Sequence, residues 1–147
     1  MRNTKDLKEF RSEAIAKLAL LKSSYKLSIE AFPAPLLDFF VSLADHPKVA
    51  FAVAVRPVDQ FTRQLEQQRS KLELYRASGL INVPVLLMKI DNVRESGQFD
   101  FLVEPVPSGE LRLKGAFEFK TLNTHNLDQL IEEIIRWKNS SLVRTPA

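Results

Sequence analysis

Two polar side chains in otherwise apolar segments could support chemistry in this chain of 147 residues. Asp38 stands inside the segment LLDFFVSL, and Arg56 follows the apolar run in the segment FAVAVRP. A carboxylate in an apolar strand has to be paired with a cation, bound to a metal ion or placed at a strand end that is open to water. We therefore expect one of these three environments for the Asp38 carboxylate.

A metal site would require a second carboxylate close to Asp38. Mg²⁺ prefers hard oxygen ligands, and two carboxylates supply the charge compensation that the ion needs. The candidates are Glu13, on a predicted helix, and Glu30, on a predicted strand. The alternative is that Asp38 alternates outward at a bend and faces solvent, as most aspartates do. The sequence leaves both alternatives open.

Other kinds of active site are excluded by what the chain lacks. It has no cysteine, which excludes disulfides, thiolate zinc sites and cysteine nucleophiles. It has four glycines, and they form neither a Gly-x-Ser-x-Gly elbow nor a phosphate-binding loop. His46 and His125 do not have the spacing of zinc ligands, so we predict that both are turn residues.

Basic side chains that could contact nucleic acid lie at Arg56 and on the helix predicted to follow it. Arg63 and Lys71 of that helix are the further candidates for phosphate contacts. The net charge is only +3, and Glu66 and Glu73 stand among the basic residues. A mixed surface of this kind is more often a solvated face than a nucleic-acid interface. Nucleic acid is therefore one candidate partner among several.

The composition is that of one globular domain. A chain with 45% hydrophobic and 27% charged residues can bury a continuous core without metal ions or disulfides. We predict a single domain over residues 1–147, with its core at about 5–138 and a flexible tail at 139–147. No apolar run reaches the length of a membrane span, and the N-terminal segment has helical periodicity instead of a signal sequence. These features predict a cytoplasmic protein that does not enter a membrane.

Hydrophobic periodicity predicts the order helix, three strands, helix, two or three strands, helix. The first helix would follow an N-cap at Asn3 or Thr4 and end near Ser23. It is amphipathic, and its apolar residues are Leu7, Phe10, Ala14, Leu18 and Leu21. The closing helix would begin at Asn126 as N-cap, and its apolar stripe is Leu127, Leu130, Ile131 and Ile134.

Two apolar runs predict the centre of a sheet. Residues 49–55 and 83–90 are apolar on both faces, which is typical of parallel strands covered by helices on both sides. A helix over 59–78 would connect them as a crossover. Strands at 25–32 and 36–43, joined by a proline-bounded link, would precede this unit.

The remaining strands would extend the sheet on its other side. QFDFLVEP is predicted to be a strand, and residues 111–120 alternate as an edge strand does. Its inward residues would be Leu111, Leu113, Phe117 and Phe119, and its outward residues Arg112, Lys114, Glu118 and Lys120. The predicted fold class is α/β, with three layers and a central mixed sheet of about five or six strands flanked by helices.

With these elements in this order, the chain resembles the PD-(D/E)xK restriction-endonuclease-like superfamily, and within it a bacterial domain-of-unknown-function family. That family has a helix with a glutamate, a strand with a metal-binding aspartate, a strand that reads approximately Phe-x-Val-Gln-Val-Lys, a helix, and a strand that ends in Asp. The matching segments here are SEAIAKL, LLDFFVSL, FAVAVRP and VPVLLMKID. The resemblance implies a restriction-endonuclease-like fold over about residues 8–137.

The resemblance also implies roles for four positions. Glu13 matches the helix glutamate and Asp38 the strand aspartate, and these two would hold Mg²⁺ in an active member. Ala54 matches the Glu or Gln of the motif, and its methyl group cannot orient a metal ion or its water. Arg56 matches the lysine and keeps the charge, but it does not deprotonate. The catalytic motif is thus degenerate, and we expect Asp38 and Arg56 to form an ion pair.

Three functions follow as expectations. The preferred one is a restriction-endonuclease-like domain that has lost catalysis, needs no cofactor and acts in binding or assembly, with nucleic acid as a candidate partner. The second is a Mg²⁺-dependent nuclease in which Glu13, Asp38 and Glu30 hold the ion and Gln60 replaces the lost ligand. The third is a small interaction module whose edge strand, 111–120, pairs with a copy of itself or with another protein.

Overall fold

A computed structural model describes residues 7–32 and 37–144, apart from the side chains of 60–65, 67 and 141–144, and in this part of the chain it has three helices and seven strands. The helices are α1 (Leu7–Leu21), α2 (Phe61–Ala77), which follows a 3₁₀ turn at Val58–Gln60, and α3 (Thr124–Arg144). The strands are β1 (Leu27–Ala31), β2 (Phe39–Leu43), β3 (His46–Pro57), β4 (Val85–Asp91), β5 (Ser96–Pro105), β6 (Leu111–Leu113) and β7 (Lys120–Thr121).

All seven strands belong to one mixed sheet. Its order is β1-β2-β3-β4-β5-β6, and β7 also pairs with β5. β3 and β4 are parallel, whereas the other pairs are antiparallel. Parallel neighbours need a crossover connection, and α2 supplies it. The predicted three-layer α/β fold with a central mixed sheet is confirmed, and the sheet is slightly larger than predicted.

Alternate residues of β3 face two separate cores. Phe51, Val53 and Val55 pack in the core that α1 and α3 cover. Ala52 and Ala54 pack in the core that α2 covers. Because side chains alternate along a strand, a strand buried on both faces needs an uninterrupted apolar sequence, which is what residues 49–55 have.

Helix α1 turns its apolar stripe to solvent. An amphipathic helix normally packs that stripe against the core, but every member of this one is exposed: Leu7, Phe10, Ala14, Leu18 and Leu21. The buried residues of α1 are Ser12, Ala16 and Leu20. Two of these three are small, so the helix approaches the sheet closely through them. The apolar stripe of α3 is buried as predicted, with Leu127, Leu130, Ile131 and Ile134 all in the core.

The predicted edge strand over 111–120 is wrong. Of this segment only β6 and Lys120, the first residue of β7, pair with β5 as strand residues. The Lys114 N–H still donates to the Leu102 carbonyl at 2.9 Å, and residues 115–119 are not part of a strand. The residues that leave the strand contact Asp100, a buried acid of β5 that sequence reasoning overlooked. Its carboxylate accepts hydrogen bonds from Lys114 Nζ at 2.9 Å and from the backbone N–H of Glu118 at 2.7 Å. Lys114 therefore turns inward, contrary to prediction.

The apolar residues of that segment nevertheless lie on the predicted side. Leu111, Leu113, Phe117 and Phe119 are partly buried against the core under α2. Phe117 and Phe119 also contact each other, with ring centroids 5.2 Å apart. Burial of apolar surface thus determines which residues turn inward even where the backbone does not pair as a strand.

Several element boundaries also differ from prediction. β3 begins at His46, inside the predicted turn at 44–48, and it includes Arg56. The N-cap of α3 is Asn123 instead of Asn126, because Asn123 Oδ1 accepts a hydrogen bond from the Asn126 N–H at 2.8 Å.

The predicted flexible tail is helical over most of its length, because α3 continues to Arg144. The predicted N-cap of α1 and the proline-bounded link at 33–36 lie outside the described residues. Across the described ranges, none of the helices has the length and apolar character needed to cross a membrane.

Replacing Asp100 by Ala should destabilise the domain by about 3 kcal/mol, because the Lys114 ammonium and the Glu118 N–H lose a buried acceptor. Urea denaturation measures the loss. The matched control is Glu104→Ala, whose carboxylate is 20% exposed but pairs with an Arg112 side chain that is 67% exposed. Its removal leaves no buried cation unpaired and should cost less than about 1 kcal/mol. Equal losses in the two variants would contradict the role of Asp100.

Candidate functional site

The candidate site lies where β2 begins and β3 ends. These strands are antiparallel, with Phe39 paired to Val53, so the residue before β2 comes next to the last residues of β3. The Asp38 N–H donates to the Val53 carbonyl at 2.8 Å and continues the pairing by one residue. The strand register therefore brings Asp38 beside Val55 and Arg56.

One oxygen of the Asp38 carboxylate is engaged by the end of β3. Its Oδ2 accepts a hydrogen bond from the Val55 N–H at 2.7 Å and another from Arg56 Nη1 at 3.1 Å. The Asp38 side chain is 12% exposed. Asp38 therefore neither faces solvent, as one alternative held, nor presents its Oδ2 to an open cavity. The expected ion pair between Asp38 and Arg56 is confirmed.

The Arg56 guanidinium is held on two sides. Nη1 also donates to the Val55 carbonyl at 2.7 Å, and Nη2 donates to Gln68 Oε1, on α2, at 2.5 Å. Arg56 is only 8% exposed. A buried charge is tolerated when it is paired and hydrogen-bonded. This network pairs the charge with Asp38 and gives both terminal nitrogens an acceptor.

The predicted metal ligands are not brought together. The Arg56 side chain reaches Gln68 on the α2 side of the sheet, while Glu13 is on α1, which packs on the opposite face. Glu30 is exposed on β1, where it pairs in register with Phe40. Among the described residues, no three His, Cys, Asp or Glu side chains form a group that could hold a metal ion.

A second cation lies next to Arg56 on the sheet. In the parallel pairing of β3 and β4, Arg56 is the register partner of Lys89. Lys89 Nζ stands 4.4 Å from the centroid of the Phe119 ring, at a distance that gives a favourable cation–π contact. The carboxyl ends of the two parallel strands thus present two positive charges toward α2, and both contact groups of the domain itself.

Two arginines of α2 hold the C-terminal strands in place. Arg69 Nη2 donates to the Lys114 carbonyl at 2.8 Å, and Arg76 Nη1 donates to the Leu111 carbonyl at 3.2 Å. Of the predicted phosphate contacts on this helix, Lys71 is exposed, and the side chain of Arg63 lies outside the described residues. Two of the positively charged side chains of α2 therefore bind backbone carbonyls of the same domain.

An ion pair joins α1 to the end of β3. Lys8 donates a hydrogen bond to Asp59, in the 3₁₀ turn directly after the strand. This hydrogen bond holds the pKa of the Asp59 carboxyl below its ordinary value. Both side chains are about half exposed, so the contact positions the start of α1 without contributing much stability.

The two histidines lie far from this site. His46 is the first residue of β3 and meets the Tyr25 ring edge-on, with the ring centroids 6.4 Å apart. His125 is in the first turn of α3. Neither belongs to a metal-binding group in the part of the chain that the structure describes.

Sequence reasoning did not identify Gln68 as a partner of Arg56, and it missed Lys89. Gln68 lies four residues before the buried Leu72, so the helical period already placed it on the inward face of α2. Lys89 could have been found by aligning the two predicted parallel strands, because it occupies the same place at the end of β4 as Arg56 does in β3. Neither pattern identifies a neighbour of Arg56 until the positions of α2 and β4 on the sheet are known.

Comparisons with known proteins leave the chain without a match. A scan against protein-family models, a search of curated proteins and a search of solved structures each found none.

Replacing Asp38 by Ala should lower the free energy of unfolding by roughly 1–3 kcal/mol, because the Val55 N–H and the Arg56 guanidinium lose a buried acceptor. Thermal and urea denaturation both measure this loss. Asp59→Ala is a control in which an acid is removed from an exposed pair, and little change is expected there. A melting temperature that is the same for Asp38→Ala and the wild type would contradict a structural role for Asp38.

Proposed function

We propose that this chain is a restriction-endonuclease-like domain that does not cleave nucleic acid and that acts in binding or assembly. The observation on which the proposal rests is the position of the Arg56 guanidinium. It is hydrogen-bonded to an oxygen of Asp38, the residue that matches the metal-binding aspartate of an active member of that superfamily. A side-chain cation thus neutralises the carboxylate from within the domain.

The arrangement around this pair disfavours metal-assisted hydrolysis. Such a reaction needs an ion with an open coordination position for water or substrate. Here Asp38 Oδ2 accepts two hydrogen bonds from protein donors, and Ala54, at the place of a second ligand, is 1% exposed and packs in the core. Arg56 is always protonated, so it cannot act as a base toward water.

The family part of the proposal is supported by the geometry at the strand ends. An aspartate directly before β2 meets the last residues of β3, and a crossover helix then leads to a parallel strand. The superfamily has its aspartate, its short motif, a helix and a further strand in the same order along the chain. Bacterial origin and a location in the cytoplasm belong to the same proposal and rest on the sequence.

Nucleic acid is a candidate partner through α2, where Lys71 is exposed. Arg56, the third predicted phosphate contact, is buried and already has acceptors for both of its terminal nitrogens. Pairing with another chain through an edge strand at 111–120 is not supported, because β6 is only three residues long. Association of the domain with another protein therefore has to use a different surface.

A cleavage assay tests the proposal against the nuclease alternative with Glu13 and Asp38. Purified protein is incubated with plasmid, single-stranded DNA and RNA in Mg²⁺ or Mn²⁺, beside an Asp38→Asn variant purified in the same way. We expect no cleavage above the level of the variant, because Asp38 is engaged by Arg56. Metal-dependent cleavage that Asp38→Asn abolishes and a chelator stops would overturn the proposal.

A further inference from the structure

Helix α1 carries a continuous apolar stripe that faces solvent. Its four large side chains are highly exposed: Leu7 by 76%, Phe10 by 57%, Leu18 by 58% and Leu21 by 59%. With the exposed Ala14 they recur at spacings of three, four, four and three residues, which places them on one side of the helix. Contiguous exposed apolar surface of this kind marks an interaction site.

The stripe has an internal symmetry. Its spacings are the same in both directions from Ala14, and the residues at equal distance from it are alike in type. In an antiparallel pair of such helices related by a two-fold axis at Ala14, Leu7 lies opposite Leu21. Phe10 lies opposite Leu18, and Ala14 meets its own copy. A self-complementary surface of this kind is what a two-fold interface requires.

We propose that α1 is the interface of a homodimer in which the α1 helices of two copies pack antiparallel about a two-fold axis at Ala14. The methyl group of Ala14 lets the two helix axes approach to about 8 Å at the centre. The larger side chains on both sides then fill the space where the helices diverge. This proposal deepens the assembly role proposed above and rests on it.

The charges beside the stripe fit this arrangement. Glu13 and Lys17 lie on the same flank, and the two-fold axis brings Lys17 of one copy within one helical turn of Glu13 of the other. The pair occurs twice by symmetry, at positions like those that set orientation in coiled coils. On the opposite flank, Arg11 is partly neutralised by Glu95, with Nη2 and Oε1 3.8 Å apart, which reduces its repulsion of its own copy.

The area is sufficient for a reversible dimer. The exposed parts of the four large side chains amount to roughly 400 Å² of apolar surface per copy. With the polar atoms at their sides, two copies would bury about 1,000 Å² in total, at the lower limit of specific interfaces. We therefore expect a dissociation constant of about 10 μM, so that the dimer forms at the concentrations used in light scattering.

Molar mass as a function of concentration tests the dimer. Sedimentation equilibrium should give twice the 16.8 kDa of one chain at high concentration and approach the single-chain mass on dilution. Leu18→Lys should keep the protein monomeric, with at least a tenfold rise in the dissociation constant and an unchanged melting temperature of the monomer. Leu74→Lys, at a leucine of α2 that is 64% exposed, should leave the dimer intact.

A single introduced cysteine tests which residues of the two α1 helices lie opposite each other. Because the chain has no cysteine of its own, Ala14→Cys introduces one thiol that lies on the proposed axis. Two Cα atoms at that point fall within the 7 Å that a disulfide allows, so oxidation should link nearly all chains into dimers. Ala77→Cys, on an exposed site of α2, should link only slowly.

Two outcomes would overturn the inference. One is a wild-type protein that stays monomeric at 200 μM or above, roughly twenty times the expected constant. The other is a dimer that Leu74→Lys disrupts and Leu18→Lys does not, since the interface would then lie on α2. Neither outcome bears on cleavage, so failure of the dimer and failure of the proposed lack of catalysis remain distinguishable.

Discussion

A buried guanidinium has to be neutralised and hydrogen-bonded, and this requirement connects the central sheet to helix α2. Arg56 stands near the end of the central strand β3, under α2, with 8% of its surface exposed. Asp38, at the start of β2, supplies the negative charge, and Gln68 of α2 accepts a hydrogen bond on the other side. The same contacts therefore fix the register of β2 on β3 and the position of the crossover helix.

This network also accounts for the proposed function. An acid beside the end of a central strand would be well placed to bind a metal ion, but its Oδ2 atom is bound to a cation and an N–H of the same chain. The arrangement is stable because Asp38 Oδ2 and both terminal nitrogens of Arg56 have hydrogen-bond partners. Catalysis would require that some of these bonds break, whereas binding through another surface would not.

Much of the fold could be predicted from the sequence because it depends on local patterns. The apolar runs of β3 and β4 predicted a sheet covered on both sides, and the stripe of α3 predicted its buried face. The exposure of the α1 stripe could not be predicted, because periodicity shows which residues share a face and not which face meets the core. The face of α1 that meets the core contains the small residues Ser12 and Ala16, which allow the helix to pack closely on the sheet.

The site was predicted in part, and its gaps arise from long-range contacts. The pairing of Asp38 with Arg56 was expected from the resemblance, and the antiparallel register of β2 on β3 produces it. The positions of Gln68 and Lys89 beside Arg56 depend on how α2 packs on the sheet and how β4 pairs within it. Asp100 was missed because the hydrogen bond that it accepts from the Glu118 N–H joins residues 18 positions apart, which no local pattern indicates.

The central claim is that Asp38 and Arg56 stabilise the domain as a pair. A double-mutant cycle with Asp38→Ala, Arg56→Met and the double variant, measured by urea denaturation, isolates their coupling. The account predicts a coupling free energy of about 1–3 kcal/mol, with the double variant losing less than the sum of the single losses. A coupling near zero would contradict it, because each residue would then act without the other.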